Sequence, residues 1–141
     1  MAWHGAYLIR DYLEQSIDEC LDRPPEHGGV YVITTSLWSG RPRASSGVLY
    51  VGGNTGSSAR FRTRIGDLLA DMLGFFGEST GHHSGGQSLC QWCRSNRVNP
   101  LDLYLGWQSA VHCGRCAEMR LYKALKPELN KNRPARCTVH L

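Results

Sequence analysis

The feature that most constrains the fold is a pair of short apolar segments, each with one tyrosine and glycines nearby. Residues 28–36 read GGVYVITTS and residues 48–56 read VLYVGGNTG. β-Branched and aromatic residues bounded by glycine are typical of strands, and the Ser, Gly and Pro residues between the two segments indicate a loop. We therefore expect strands at 30–35 and 48–52, paired as an antiparallel hairpin.

The remaining patterns predict helices and a third strand. Apolar residues recur at helical spacing in three places, at 7–21, 60–73 and 117–125. Residues 101–107 alternate leucine with polar residues, as a strand does, whereas the Gly-, Ser- and His-rich residues 74–87 are predicted to form a loop. Together these patterns predict an α+β fold, in which a small three-stranded antiparallel sheet is flanked by α-helices.

Length and composition are those of a single globular unit. The chain has 141 residues, of which 41% are hydrophobic and 20% charged, which argues against disorder. No apolar run approaches the roughly 18 residues of a membrane span. The N-terminus has no basic region ahead of an apolar one, so it does not resemble a signal peptide. We expect a cytoplasmic protein that is not inserted in a membrane.

Charge is distributed unevenly along the chain. The first thirty residues carry a net −4, whereas the whole chain carries +4, so the remainder carries +8. From Arg115 to the C-terminus, seven Lys or Arg residues stand against two acids. This basic part is the expected partner surface and suits contacts with phosphate, although a solvated face produces similar counts.

Five elements follow one another along the chain: Gly29-Val30-Tyr31, Tyr50-Val51-Gly52, Phe61-x-x-Arg64-Ile65, Glu118 and Asn130. In this order they resemble the GIY-YIG nuclease domain. Some domains of that family also carry an HSGG element after the arginine helix, which is similar to His83-Ser84-Gly85-Gly86 here. The resemblance implies an acidic helical extension at 1–27 followed by a nuclease domain at 28–141.

The resemblance also implies a role for each of these side chains. Tyr31 would be the general base that accepts a proton from the attacking water, which requires a pKa well below the usual value of about 10. Tyr50 would orient the water or Tyr31, and Arg64 would supply a cationic field. Glu118 would bind one catalytic Mg²⁺ or Mn²⁺, and Asn130 would hold Glu118 or the adjoining loop by hydrogen bonds.

Two assignments leave alternatives: the arginine that supplies the cationic field, and the group that assists Tyr31. The segment ARFRTRIGDL also contains Arg60 and Arg62, but Arg64 alone fits the apolar-x-x-Arg-apolar pattern of the family. A histidine that the family often carries about four residues after this arginine is replaced by Leu68. His83 or a neighbouring cation could assist Tyr31 in its place.

DNA is the partner that the resemblance implies. The expected nucleic-acid-binding residues are Arg60, Arg62, Arg94, Arg97 and Lys131. The residues do not distinguish duplex, branched and single-stranded DNA, and they leave RNA open as well. A homodimer or a separate specificity partner is equally open, because we expect no appended recognition domain in a chain of this length.

The cysteines indicate a second metal. Cys90-x-x-Cys93 and Cys113-x-x-Cys116 are separated by nineteen residues, a spacing typical of a four-thiolate structural Zn²⁺ site. We expect a zinc knuckle inserted at about 88–116. Disulfides, free thiols, or ligands that include His82, His83 or His112 are the alternatives. By their spacing, Cys20 and Cys137 are expected to be buried or inert.

The function expected from these residues is that of a metal-dependent DNA endonuclease. The alternative is a catalytically inactive, zinc-containing module that binds nucleic acid through its basic C-terminal part. A third possibility is an interaction protein organised by zinc, for which salt-dependent affinity for DNA would be absent.

Overall fold

The computed structural model of the chain describes residues 3–17, 24, 29–53, 61–75, 84–109, 113–130, 134 and 137–139. The strands are β1 (Trp3–Leu8), β2 (Gly29–Thr34), β3 (Val48–Gly53) and β4 (Tyr104–Ser109). The α-helices are α1 (Ile9–Ile17), α2 (Phe61–Met72), α3 (Ser84–Asn96) and α4 (Gly114–Leu125). Short 3₁₀ helices lie at Ala44–Ser46 and Pro100–Asp102.

The described strands form one antiparallel sheet in the order β1-β4-β2-β3. The predicted hairpin is confirmed, since β2 pairs with β3. The prediction of three strands is wrong, because Trp3–Leu8 adds a fourth strand that pairs with β4. The first helix accordingly begins at Ile9 and not at residue 7. Pairing with a strand about a hundred residues away overrides the local helical pattern there.

Helix α3 occupies much of the region where a loop and a zinc knuckle were expected. Leu89 and Cys93, four residues apart, are both buried in the core, which is the spacing of one helix face. The third predicted strand exists, but it begins at Tyr104, after the 3₁₀ helix. Asn99 begins that 3₁₀ helix, because its side-chain oxygen accepts a hydrogen bond from the Leu101 N–H at 3.0 Å.

The sheet buries side chains on both faces. The larger cluster includes Tyr31, Ile33 and Trp107 from the sheet, packed with residues of α1, α2 and α3. The smaller cluster contains Val32 and Val51 together with Leu125 of α4. Successive residues of β2 therefore enter opposite clusters, as strand geometry requires. The expectation that Trp107 is a core residue is confirmed, since 1% of it is exposed.

None of the helices in the described ranges combines the length and the apolar character needed to cross a membrane.

Helices α2 and α3 approach each other closely at Gly86. A Cβ built on Gly86 would lie 2.6 Å from Asp71 Cβ and 2.7 Å from the Leu68 carbonyl oxygen. Both distances are shorter than ordinary van der Waals contact, and the Leu68 atom belongs to the backbone of a helix. The absence of a side chain at Gly86 therefore sets the separation of the two helices.

Alanine at this contact should destabilise the fold. We expect Gly86→Ala to lower the free energy of unfolding by about 1–3 kcal/mol, because the new methyl group forces the helices apart. Gly66→Ala is the matched control in α2, since among the described residues nothing beyond its own helix backbone and chain neighbours lies within 4 Å of a Cβ at that position. That change should stabilise the protein by up to about 1 kcal/mol. Urea unfolding of both variants checks this, and equal stabilities would contradict the close contact.

Candidate functional site

The two strand tyrosines face the same side of the sheet. Tyr31 lies opposite Gly52, and Tyr50 lies opposite Ile33, so the tyrosines are diagonal neighbours on one face. Their ring centroids are 6.1 Å apart, with an angle of 33° between the ring planes. A side-chain hydrogen bond joins them. The sequence repeats the tyrosine because both strands contribute a phenol to one place.

Two glycines make room for the pair. A Cβ on Gly52 would overlap the Tyr31 hydroxyl group, and a Cβ on Gly85 would overlap the ring of Tyr50. Gly52 lies on the neighbouring strand and Gly85 lies in the first turn of α3. The two glycines of the HSGG element therefore have separate uses, because Gly85 lies against Tyr50 while Gly86 lies against α2.

Burial dominates the ionisation of both tyrosines. Burial raises the pKa of Tyr31 well above 10, and the negative charge of an ionised Tyr50 raises it further. The charge of Arg64 lowers this pKa, and the charge of Glu118 raises it. The pKa of Tyr50 is also raised, first by burial and then by Glu118, while Arg64 and the hydrogen bond with Tyr31 lower it. The expected low pKa of Tyr31 is thus wrong for this structure, because desolvation outweighs the cation.

The hydrogen bond between the tyrosines shifts their pKa values in opposite directions. It raises the pKa of Tyr31, after burial and the nearby charges, and lowers that of Tyr50. Tyr31 is fully buried and Tyr50 is half-buried. Tyr50 is therefore the member of the pair with access to solvent.

Arg64 lies near the start of α2, and its charge acts on both tyrosines. Its Nε atom is buried and has no hydrogen-bond partner among the described residues. Leaving such a donor without a partner is costly for a folded protein. An arginine held beside two phenols with an unused donor is suited to receive an oxygen of a ligand.

Glu118 reaches the same place from α4, in the layer on the other side of the sheet. A Cβ built on Gly53, the last residue of β3, would lie 3.6 Å from Glu118 Oε2. The charge of Glu118 acts on Tyr31 and Tyr50. The carboxylate is therefore close to the end of β3, within electrostatic range of the tyrosines.

Asn130 binds the edge of the sheet and does so through Val51. Its side-chain oxygen accepts a hydrogen bond from the Val51 N–H at 2.9 Å, and its side-chain nitrogen donates to the Val51 carbonyl at 2.8 Å. The backbone N–H groups of Glu128 and Leu129 donate to the carbonyls of Val48 and Leu49. The segment after α4 thus covers the exposed edge of β3, which holds Tyr50 in position. Both of these Asn130 side-chain hydrogen bonds go to β3, where a link to Glu118 or the adjoining loop was expected.

The structure describes only some of the residues that were expected to bind nucleic acid or to assist the site. Arg94 is exposed in the last turn of α3, and Arg97 is exposed in the turn that follows. Arg62 belongs to α2, but its side chain is not described. Arg60, His82, His83, His112 and Lys131 lie outside the described residues. Leu68, at the position where the family often has histidine, is buried in the core.

Glu118 is the carboxylate of this site that could hold a hard cation. Carboxylate oxygens are the ligands that Mg²⁺ prefers, and Mg²⁺ commonly keeps several waters and binds phosphate as well. Within the described ranges, the one group of three or more His, Cys, Asp or Glu side chains close enough to hold a metal is made of cysteines and does not include Glu118.

The cysteines are arranged differently from the expected four-cysteine site. The sulfurs of Cys113, Cys116 and Cys137 all lie within 4.8 Å of one another, so this group could hold a metal ion. Cys90 and Cys93 are not part of the group and lie instead on α3. Burial, followed by the charge of Cys90, raises the pKa of Cys93 to about 11. The C-x-x-C spacing at 90–93 is also that of two residues on neighbouring turns of a helix.

The prediction that Cys137 is buried or inert is wrong, because Cys137 belongs to the cysteine group. It is half-buried, and its sulfur lies 3.8 Å from that of Cys113. Hydrogen bonding with Cys113 is the largest cause that raises the pKa of Cys116 to about 11, followed by burial and by Cys137. The Cys116 thiol therefore favours its protonated form when no cation is bound, and a divalent ion would reverse that preference. Cys20 lies outside the described residues.

Comparison of the chain with protein-family models, with curated proteins and with solved structures gave no significant match. Membership of the GIY-YIG family is therefore an interpretation of the residues and of their arrangement. The arrangement brings together Tyr31, Tyr50, Arg64 and Glu118, which are dispersed over about ninety positions of the chain.

Loss of the Asn130 side chain should loosen the edge of the sheet. We expect Asn130→Ala to lower the free energy of unfolding by about 1–3 kcal/mol, because both backbone groups of Val51 lose a partner. Asn96→Ala is the control, since Asn96 is exposed and donates a single hydrogen bond, at 2.9 Å, to the Trp92 carbonyl. Its effect should stay within about 0.5 kcal/mol. Similar losses in the two variants, measured by urea unfolding, would contradict a special role for Asn130.

Proposed function

We propose that this chain is a metal-dependent endonuclease of the GIY-YIG type that hydrolyses phosphodiester bonds in DNA. The observation that carries the proposal is the convergence of Tyr31, Tyr50, Arg64 and Glu118, in which the charges of Arg64 and Glu118 act on both tyrosines. Two phenols, one cation and one carboxylate supply a base, an anion-binding group and a ligand for a hard metal. These are the functions that attack of water on a phosphodiester requires.

The two tyrosines act as one unit in this proposal. Tyr31 accepts the proton of the attacking water as general base, and Tyr50 orients the water or Tyr31. Because the phenols are hydrogen-bonded to each other, loss of a proton from one changes the pKa of the other. Tyr31 is fully buried, whereas Tyr50 is half-buried and reaches solvent. Tyr50 would therefore connect Tyr31 to the attacking water.

Electrostatic interactions determine whether Tyr31 can lose its own proton and act as the general base. Burial keeps the pKa of Tyr31 above its usual value, and Arg64 is the described cation that opposes this effect. Glu118 contributes in the opposite direction, so its negative charge needs compensation before the pair can ionise. Bound to Glu118, Mg²⁺ or Mn²⁺ would supply that compensation, polarise the phosphate and stabilise the leaving oxygen.

Arg64 would bind the phosphate as well. Its buried Nε–H has no hydrogen-bond partner in the described residues, and guanidinium groups bind phosphate oxygens through charge-assisted hydrogen bonds. A phosphate oxygen at this position would satisfy the donor. This second task explains why arginine, and not lysine, suits the position.

The charge pattern supports a nucleic-acid substrate. The residues after the first thirty carry a net +8, which favours a polyanion. DNA is the proposed substrate; the form of DNA that is cut, a role for RNA, and dimerisation or a specificity partner are matters for experiment. A catalytically inactive nucleic-acid-binding module is the second candidate, favoured by the raised pKa of both tyrosines.

Cleavage of defined DNA substrates tests the proposal. Protein is incubated with single-stranded, duplex and branched DNA in Mg²⁺ or EDTA, and the products are resolved on a denaturing gel. We expect Mg²⁺-dependent cutting, and a loss of about 100-fold or more in Tyr31→Phe and Glu118→Gln, because each change removes a group used in the transition state.

The matched controls are Tyr104→Phe and Glu128→Gln. Tyr104 is a half-buried tyrosine of β4 and Glu128 is an exposed glutamate after α4. Both controls should cut at the wild-type rate. Binding of DNA without cutting by the folded wild-type protein would favour the inactive module, and full activity in both Tyr31→Phe and Glu118→Gln would exclude the proposed mechanism.

A further inference from the structure

The cysteine cluster is separate from the proposed nuclease chemistry and has a geometry of its own. Cys113 immediately precedes α4, Cys116 lies in its first turn, and Cys137 comes from the C-terminal segment, twenty-one positions after Cys116. The three sulfurs lie within 4.8 Å of one another. Two distant segments therefore meet through three thiols.

We propose that Cys113, Cys116 and Cys137 bind a structural Zn²⁺ ion through their thiolates. A tetrahedral zinc with Zn–S bonds of about 2.3 Å holds its sulfurs about 3.8 Å apart. The sulfurs of Cys113 and Cys137 are separated by 3.8 Å. A disulfide would require about 2.0 Å. The spacing is therefore that of two hydrogen-bonded thiols, which is also the spacing that two zinc ligands need.

The sequence offers a fourth ligand with suitable spacing. Cys137-Thr-Val-His140 repeats the C-x-x spacing of Cys113-x-x-Cys116, so the two pairs form a C-x₂-C…C-x₂-H pattern. Three cysteines and one histidine are a common structural zinc set. His140 lies outside the described residues, and its assignment rests on this spacing. His112 adjoins Cys113 directly, closer in the chain than the usual separation of ligands.

The zinc would fasten two parts of the candidate active site. It would close the loop between Cys116 and Cys137, which contains Asn130, and it would fix the start of α4 two residues before Glu118. A site with four protein ligands leaves no position for substrate, so its role is structural. The consequence for Glu118 and Asn130 rests on the proposed nuclease function, whereas zinc binding itself does not.

Metal content of the purified full-length protein tests the ligand set. Protein prepared under reducing conditions without chelator is analysed for zinc by mass spectrometry, with Cys113→Ser, Cys137→Ser and Cys90→Ser in parallel. We expect about one zinc per chain in the wild type and in Cys90→Ser, and loss of stoichiometric zinc in the other two. Zinc lost from Cys90→Ser but kept by Cys137→Ser would overturn the proposal in favour of the expected four-cysteine site.

Wild-type protein gives a second test that does not depend on the folding of the variants. Replacement of zinc by Co²⁺ should produce thiolate-to-cobalt charge-transfer absorption together with the d–d bands of a tetrahedral ion. Absence of metal from the reduced wild type, or of those bands after addition of Co²⁺, would overturn the proposal. So would a Cys113–Cys137 disulfide, found by peptide mapping in protein that binds no metal.

The fourth ligand has its own pair of variants. His140→Ala should weaken zinc binding in competition with a chromogenic chelator, and His140→Cys should restore it by supplying another thiolate. His112→Ala should bind zinc as the wild type does. A loss confined to His112→Ala would overturn the assignment of His140 while leaving the three cysteine ligands in place.

Discussion

The antiparallel pairing of β2 with β3 is the constraint on which the rest of the site depends. Side chains alternate between the two faces of a sheet, so the register that puts Tyr31 opposite Gly52 also puts Tyr50 on the same face. A slip of one residue in either strand would send one tyrosine to the opposite face. The glycines at 52 and 85 then leave room for the two rings.

The position of β3 at the edge of the sheet explains much of the remaining architecture. An edge strand presents unpaired backbone groups, and here residues 128–130 bind them before the chain continues. Helix α4 leads into this segment, so the helix that brings Glu118 to the end of β3 also delivers Asn130 to its edge. Support of Tyr50 and placement of the carboxylate are therefore parts of the same connection.

Local patterns predict much of this fold. The hairpin, α2 and α4 follow from periodicity and from the glycines and prolines that bound them. The candidate site residues were expected from the resemblance to the GIY-YIG domain, and their roles stay a prediction. Strand β1 could not be predicted in that way, because residues 3–8 form a strand through pairing with β4, far away in sequence. Local periodicity contains no information about such a partner.

The cysteines show a different limit of sequence reasoning. C-x-x-C is the spacing of a metal knuckle and also of one turn of a helix, and burial decides between the two. Cys93 is 2% exposed and packs in the core, whereas Cys137 meets Cys113 although twenty-three residues separate them in the sequence. The low pKa expected for Tyr31 failed for a related reason, since its burial depends on packing that the sequence does not display.

The most direct test of the central claim is to locate a catalytic cation relative to the tyrosine pair. Crystals of the wild-type protein and of Glu118→Gln are soaked in Mn²⁺, and anomalous scattering locates the ion. We predict a peak at the Glu118 carboxylate, beside Tyr31, Tyr50 and Arg64, which is lost in the variant. A peak that persists in Glu118→Gln, or manganese bound only at other positions, would contradict the claim that these four side chains form one metal-dependent site.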